Sequence, residues 1–209
     1  MVKQVLADVW ETRVESPFPG LTTHAYLLTR DMGNVLFYNT SQQADIEHML
    51  ALGGVRYQFL SHRDELGESV KQIRTQFDAQ LGGHLNEQAE FAEVCTPDIV
   101  FFKRQKLLEN VEVIPTPGHT PGSCCFLVHS EHNRTYLFTG DTLYLTDDGW
   151  QPGMLSFSDR DALLESLKLL QTLQPDVVFS SAFSGFSGYR KVSGHWSDEV
   201  QQAINVLKD

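Results

Sequence analysis

Val111-Glu112-Val113-Ile114-Pro115-Thr116-Pro117-Gly118-His119-Thr120-Pro121-Gly122 is a short apolar strand that stops in a loop of proline and glycine carrying one histidine. β-branched residues favour the strand, and the prolines and glycines end it in a rigid turn, so His119 is presented at a strand end. Working outward, 124–128 and 135–138 are apolar runs joined by the polar turn Glu131-His132-Asn133-Arg134, and the second ends at Thr139-Gly140-Asp141-Thr142. Upstream, the apolar run 55–60 passes directly into Ser61-His62-Arg63-Asp64. Three strand ends therefore each deliver polar residues, and functional groups concentrate on loops held by a rigid scaffold. Two imidazoles, His62 and His119, with two carboxylates, Asp64 and Asp141, form a donor set suited to zinc, iron or manganese.

The remainder of the chain alternates between strand and helix patterns. Residues 22–29 and 35–39 read as strands of a hairpin around Arg30-Asp31-Met32-Gly33-Asn34. Ser41 is expected to cap a helix over 42–52, with Ile46, Met49 and Leu50 on one face and Gly53-Gly54 at its end. Residues 69–77 and 86–94 read as helices separated by Leu81-Gly82-Gly83-His84. Ser158 is expected to cap a helix over 159–171, with Leu163, Leu167 and Leu170 at helical spacing. Pro175-Asp176 breaks it, 177–179 is a buried-type strand, and Ser197 opens a closing helix to Leu207. Two runs of strands, each followed by helices, fit a four-layer αββα sandwich or a doubly wound sheet, and periodicity does not separate them.

The 209 residues contain no internal repeat, low-complexity tract or proline-rich linker, so one domain over 1–209 is expected. Asp and Glu number 27 against 16 Lys and Arg, a formal charge of −11. That balance argues against a general nucleic-acid binder and against docking on anionic membranes, both of which need a basic footprint. The segment 1–15 is too acidic and interrupted for a signal peptide, and no apolar run reaches the ~18 residues of a membrane span, so cytoplasmic residence is expected. Cys95, Cys124 and Cys125 are not spaced as disulfide partners or as a Cys-x-x-Cys zinc motif; the adjacent pair should face opposite sides of a strand as reduced packing residues. Of the eight histidines, His48, His129 and His132 read as solvated and His195 as packing near the last helix.

The combination of 115–123 with Leu137-Phe138-Thr139-Gly140-Asp141-Thr142-Leu143, after the strand-end Ser61-His62 and the opening hairpin, resembles the metallo-β-lactamase superfamily of metal-dependent hydrolases. The resemblance implies an α/β, four-layer αββα sandwich with the site on one edge. It also implies that His62, Asp64 and His119 correspond to the residues holding the family's first metal, with Asp141 in the bridging position. The family's opening motif, His-x-His-x-Asp-His, reads here His62-Arg63-Asp64-Glu65-Leu66-Gly67, and the terminal family histidine falls on Ala182. Leu66, Gly67 and Ala182 offer no ligand, so the second metal's donors are missing together.

The implied protein is a hydrolase of a small ester, thioester, lactone or phosphoester, working through water activated by one divalent ion, with Asp64, Glu65 and Asp141 as catalytic carboxylates. The alternative is an inactive protein of this fold, metal-free, that binds a small molecule or another protein. A true β-lactamase and the family's tRNA-processing nucleases are not expected, given the missing ligands and the acidic charge. Arg63, together with Phe183, Phe186 and Tyr189 of the segment 182–191, is the candidate substrate-binding set. His84 and His24 are further candidates near the site. The expected partner is a small-molecule substrate, and a homodimer is left open.

Overall fold

Between Val35 and Phe101 the chain alternates strand and helix, and the computed structural model, which describes residues 1–208 (for Phe18 the backbone alone), lays these strands in parallel. Val35–Phe37, Tyr57–Phe59, Gln80–His84 and Ile99–Phe101 follow one another across the sheet. They are connected by α1 (Gln43–Ala51), α2 (Glu68–Phe77) and α3 (Gln88–Val94). Tyr26–Leu28, Val9–Glu11 and Lys3–Gln4 extend the same sheet antiparallel to seven strands.

A second, six-stranded sheet runs in the order Gln105–Leu108, Val111–Pro115, Cys124–Ser130, Arg134–Gly140, Val177–Ser180, Tyr189–Lys191. Its inner face meets the first sheet through aromatic rings: Phe37 stacks on Phe138 at 4.0 Å, and Phe59 lies 5.8 Å from Phe126. Its outer face is covered by α4 (Arg160–Leu170) and α5 (Trp196–Lys208), which bury Leu163, Leu167, Leu170, Val200 and Ile204 with Cys125, Leu137 and Val178. Val70 of α2 and Phe91 of α3 bury with Leu60 and Leu81 of the first sheet. Helices, two face-to-face sheets and helices again make the αββα sandwich. Among the described residues, no helix is long and apolar enough to cross a membrane.

A smaller five-stranded sheet, ordered Gly149–Pro152, Leu143–Thr146, Ala182–Phe183, Leu21–Thr23, Glu15–Phe18, joins early and late segments at one edge. It accounts for one departure from the expected hairpin: 22–29 is not one strand, because Thr22 and Thr23 pair with Phe183 and Ala182 while Tyr26–Leu28 joins the large sheet. Leu81-Gly82-Gly83-His84 is also not a spacer between helices but a buried strand. The glycines are there for close approach: a Cβ on Gly82 would stand 2.5 Å from Phe101 Cζ, and one on Gly83 would run into the ring of Phe91.

The caps differ by a residue from expectation. Asp159, not Ser158, caps α4 through Ala162 N–H, while Ser158 Oγ donates to the carbonyl of His119. Ser41 does not cap α1 but gives its hydroxyl to Glu15. The last helix begins at Trp196, one residue before Ser197, with its first backbone bonds running to His195 O. Cys124 and Cys125 face opposite sides of their strand, one into each core, and the three cysteines are free.

Candidate metal centre

His62 stands just beyond the carboxyl end of Tyr57–Phe59, in extended backbone (φ −166°, ψ 171°), before the 3-10 turn Arg63–Glu65 that carries Asp64. Polar residues at this edge are held where a strand stops and the backbone no longer needs the ladder. His119 occupies the loop after Val111–Pro115, pinned against α4: Asp159 N–H donates to Gly118 O at 2.8 Å and Ser166 Oγ to Pro117 O at 2.7 Å. Gly118 has φ +142°, and a Cβ there would run into the backbone of Leu163, so only glycine lets the loop sit so close. Asp141 follows Gly140 at the end of Arg134–Gly140, where a Cβ on Gly140 would meet the Ser61 side chain.

These three junctions bring His62, His119 and Asp141 together, with one ligand-type atom from each within 4.8 Å of the others. Asp141 Oδ2 lies 3.5 Å from His62 Nε2 and 3.8 Å from His119 Nε2. Asp64 Oδ2 lies 4.0 and 3.7 Å from the same two nitrogens. Both imidazoles are buried, at 2% and 3% exposure, and neither Nε2 has a hydrogen-bond partner. Buried polar atoms are nearly always paired, so two orphaned nitrogens converging beside a carboxylate need a partner of another kind. Donors around a tetrahedral ion with bonds of roughly 2.0–2.2 Å stand about 3.4 Å apart, slightly tighter than the spacing here. The residues fit a divalent cation.

The outward nitrogens are oriented from behind. His119 Nδ1 is 2.9 Å from Gly153 O and can only donate there, which leaves Nε2 with its lone pair. His62 Nδ1 faces Ser61 Oγ at 2.9 Å and Glu65 Oε1 at 3.4 Å. Glu65 is itself fixed: Oε2 accepts from Ser61 N–H at 2.7 Å and Oε1 from Ser61 Oγ at 2.5 Å. Burial opposes a proton on His62, but Asp141, Glu65 and Asp64 outweigh it and raise its pKa to about 9. His119 is lowered, by burial first and then by the charge of His62, against the pull of Asp141, Gly153 O and Asp64. Asp141 turns its other oxygen away, Oδ1 accepting from Ala182 N–H at 3.1 Å. Ala182, where a terminal histidine ligand is absent, thus contributes a backbone donor instead.

The other sequence candidates lie outside the three-residue group. Arg63 gives Nη1 to Glu90 Oε1 at 2.6 Å and stacks over Phe157, its Cζ 5.6 Å from the ring centre, and its Nε lies 3.9 Å from Asp64 Oδ1 at the rim of the site. Phe183 is buried, stacked on His24 at 5.0 Å. Phe186 is 99% exposed, and Tyr189 stacks on Phe179 at 5.4 Å. None of these four lines the cavity that opens over His62, His119 and Asp141. His84 Nδ1 accepts from Asn86 N–H at 3.2 Å, and its pKa is lowered by burial. His24 is likewise lowered, by burial first, with Glu11 opposing. Both stay outside the three-residue group.

Two supporting residues carried no mark in the sequence. Tyr38, fully buried with φ +70°, accepts from Gly140 N–H at 2.9 Å and donates to Phe179 O at 3.0 Å, which fixes the backbone that presents Asp141. Glu87, also fully buried, accepts from Gly122 N–H at 3.1 Å and holds the far end of the His119 loop. Their signal is spatial: neither sits in a motif, and a buried ionisable or hydroxyl group shows only once its partners are placed.

The model of the metallo-beta-lactamase superfamily matches residues 97–182, which include His119, Asp141 and Ala182. No curated protein matches the chain in sequence. Among solved structures, a metallo-beta-lactamase from Pontibacter korlensis is similar over 100% of this chain and 99% of its own, with 16% identity and a TM-score of 0.77. An archaeal metallo-beta-lactamase superfamily protein from Sulfolobus tokodaii aligns over 97% of this chain and 86% of its own, at 16% identity and TM-score 0.67. A class B3 di-zinc metallo-beta-lactamase from an Alaskan soil metagenome aligns over 94% of this chain and 92% of its own, at 15% identity and TM-score 0.66. At these identities the likeness is one of fold.

Proposed function

We propose that the chain is a member of the metallo-β-lactamase superfamily, and that it is a hydrolase working with a single divalent cation, zinc, iron or manganese, at His62, His119 and Asp141. One observation carries the reading: the orphaned Nε2 atoms of two buried histidines converge on Asp141 Oδ2. A second ion has no counterpart donors, because Leu66, Gly67 and Ala182 stand where they would be.

A bound divalent cation would supply Lewis-acid activation of water and of the substrate carbonyl. The chain's residues do the rest. His62 and His119 offer Nε2 lone pairs, held in orientation by Ser61 with Glu65 and by Gly153 O. Asp141 would supply Oδ2, its orientation fixed by the Ala182 N–H bond to Oδ1. Asp64, with its side chain 44% exposed, is the carboxylate on the open side, and it takes the proton from attacking water. Glu65 is a positioning residue, both its oxygens being spent on Ser61 and the back of His62.

The metal-free alternative, a binding module, also has an observation in its favour. A protonated His62 beside Asp141 forms a charge-balanced cluster with no ion. It leaves His119 Nε2 unexplained.

The test is a panel of esters, thioesters, lactones and phosphoesters with protein supplied with Zn, Mn or Fe. The expected result is turnover that chelator abolishes, that metal restores, and that His62→Ala and His119→Ala each lose. Asp64→Asn should keep the metal and lose about 100-fold or more in kcat. Activity untouched by both histidine substitutions would overturn the reading, and metal binding without turnover would favour the binding module.

A further inference from the structure

The cavity over the metal centre has a volume of about 720 Å³. Val14, Pro17, Leu21, Leu66 and Leu155 give it apolar walls, and its five carboxylates are Glu15, Asp64, Glu65, Glu68 and Asp141. Among the described residues lining it there is no lysine or arginine. The cations around its rim are already paired, two of them with lining carboxylates: Arg63 Nε lies 3.9 Å from Asp64 Oδ1, and Lys71 reaches Glu68. Arg63 is held by Glu90 and the ring of Phe157, Arg13 binds Asp45 at 3.1 Å, and Lys71 binds the exposed Glu68 at 3.1 Å.

A bound divalent ion would balance Asp64 and Asp141, and Lys71 balances Glu68. Glu65 then has only the His62 imidazole beside it, at 3.4 Å, and Glu15 has no cationic partner. Glu15 accepts from Thr40 Oγ1 at 2.6 Å and Ser41 N–H at 3.0 Å, and Glu65 from Ser61; these bonds hold the charges in place without cancelling them. The acidic lining is not an isolated cluster: the unpartnered Nε2 atoms of His62 and His119, both more than nine-tenths buried, point into the same space.

We infer that this site, read as the hydrolytic centre proposed above, selects substrates that carry no negative charge: uncharged or cationic carboxylic esters, thioesters or lactones with an apolar group, and not phosphoesters or carboxylate-bearing compounds. Inside a partly enclosed cavity, like charges are weakly screened and cost much more than at an open surface. The same field acts on the product. Water's oxygen bonds to the acyl carbon and the acyl–oxygen bond breaks. One water proton goes to the leaving alcohol, and the other passes through Asp64 to solvent as the acid ionises. The carboxylate so formed is repelled from the lining, which favours its release.

Three hydroxamic acids of equal length test this, sharing the headgroup and ending in a methyl, a carboxylate or an ammonium group. They are titrated by calorimetry into metal-loaded full-length protein and by NMR into the metal-free protein. The carboxylate compound should bind about tenfold or more weakly than the methyl compound, and the ammonium compound at least as tightly as the methyl one. The gap should narrow at high salt and in Glu15→Gln; Glu68→Gln, at an exposed helix start, serves if Glu15→Gln disturbs folding. A carboxylate compound that binds as well as the methyl compound in either form overturns charge selection, as does failure of all three to bind in both. Absence of bound metal with the charge order intact in the metal-free protein would instead sink the hydrolase reading alone.

Discussion

Glu65 is the residue whose role changes most between sequence and structure. Its place beside Asp64 suggests proton transfer, but the 3-10 turn folds its carboxylate back onto Ser61 and the rear nitrogen of His62. A carboxylate behind a metal-binding imidazole sets the ring's tautomer and basicity. Glu65→Gln should therefore lower metal affinity about 10- to 100-fold while leaving one site per chain, measured by competition with a chromophoric chelator. Unchanged affinity would remove the positioning role.

Glu87 offers a pH signature at the same scale. Burial raises its pKa, against the lowering effects of the Thr120 hydroxyl, the His62 charge and the Gly122 and Arg63 backbone. The folded protein therefore holds this proton more tightly than the unfolded chain. Its stabilising share is complete below the ordinary carboxylate range and is lost as pH rises through the raised folded value. Glu87→Gln keeps an acceptor for Gly122 N–H and drops the buried charge. It should be more stable than the parent at neutral pH, and the advantage should vanish in acid as Glu87 protonates, as read from urea unfolding at both pH values. An advantage that is independent of pH would contradict the burial argument.

At the scale of elements, the His119 loop depends on its approach to α4. Gly118 lies against the backbone of Leu163, Pro117 O accepts from Ser166, and Ser158 reaches His119 O. Gly118→Ala meets backbone in a conformation that disfavours any side chain, so the loop must lift from the helix. A loss of about 1–3 kcal/mol in unfolding free energy is expected, with weaker metal binding in whatever remains folded. Parent-like values for both would show that the loop is held some other way.

The contrast with the Gly82-Gly83 strand explains what was legible. The His119 loop could be read locally, because a strand followed by proline, glycine and histidine carries its own turn chemistry. Gly82 and Gly83 have poor strand preference by themselves. Their strand exists because the rings of Phe59, Phe101 and Phe91 fill the space that side chains would need, and that is visible only in three dimensions. Strands such as Leu143–Thr146 and Gly149–Pro152 form an edge hairpin whose partner, Ala182–Phe183, lies far along the chain. The candidate ligand residues were legible because each follows the end of a strand. The supports Tyr38 and Glu87 were not, because their partners, Gly140 and Gly122, are distant in sequence. Conversely, Phe183, Phe186 and Tyr189 are close in sequence to the missing histidine's position but do not line the cavity over the centre; Phe183 and Phe186 line a separate one with His24.

For the molecule as a whole, the centre is a junction between sheets. His62 leaves the seven-stranded sheet, and His119 and Asp141 leave the six-stranded one. An ion held there ties the two layers and stabilises the native state by mass action, about 2.7 kcal/mol at a hundredfold excess over Kd. The central proposal is that this sandwich holds one divalent ion, at His62, His119 and Asp141, and not two. Elemental analysis after metal loading and removal of excess, on the parent and on His119→Ala, tests it most directly. The account predicts about one divalent ion per chain in the parent and a large loss in the variant. Two ions per parent chain, or a content no higher than that of His119→Ala, would contradict it.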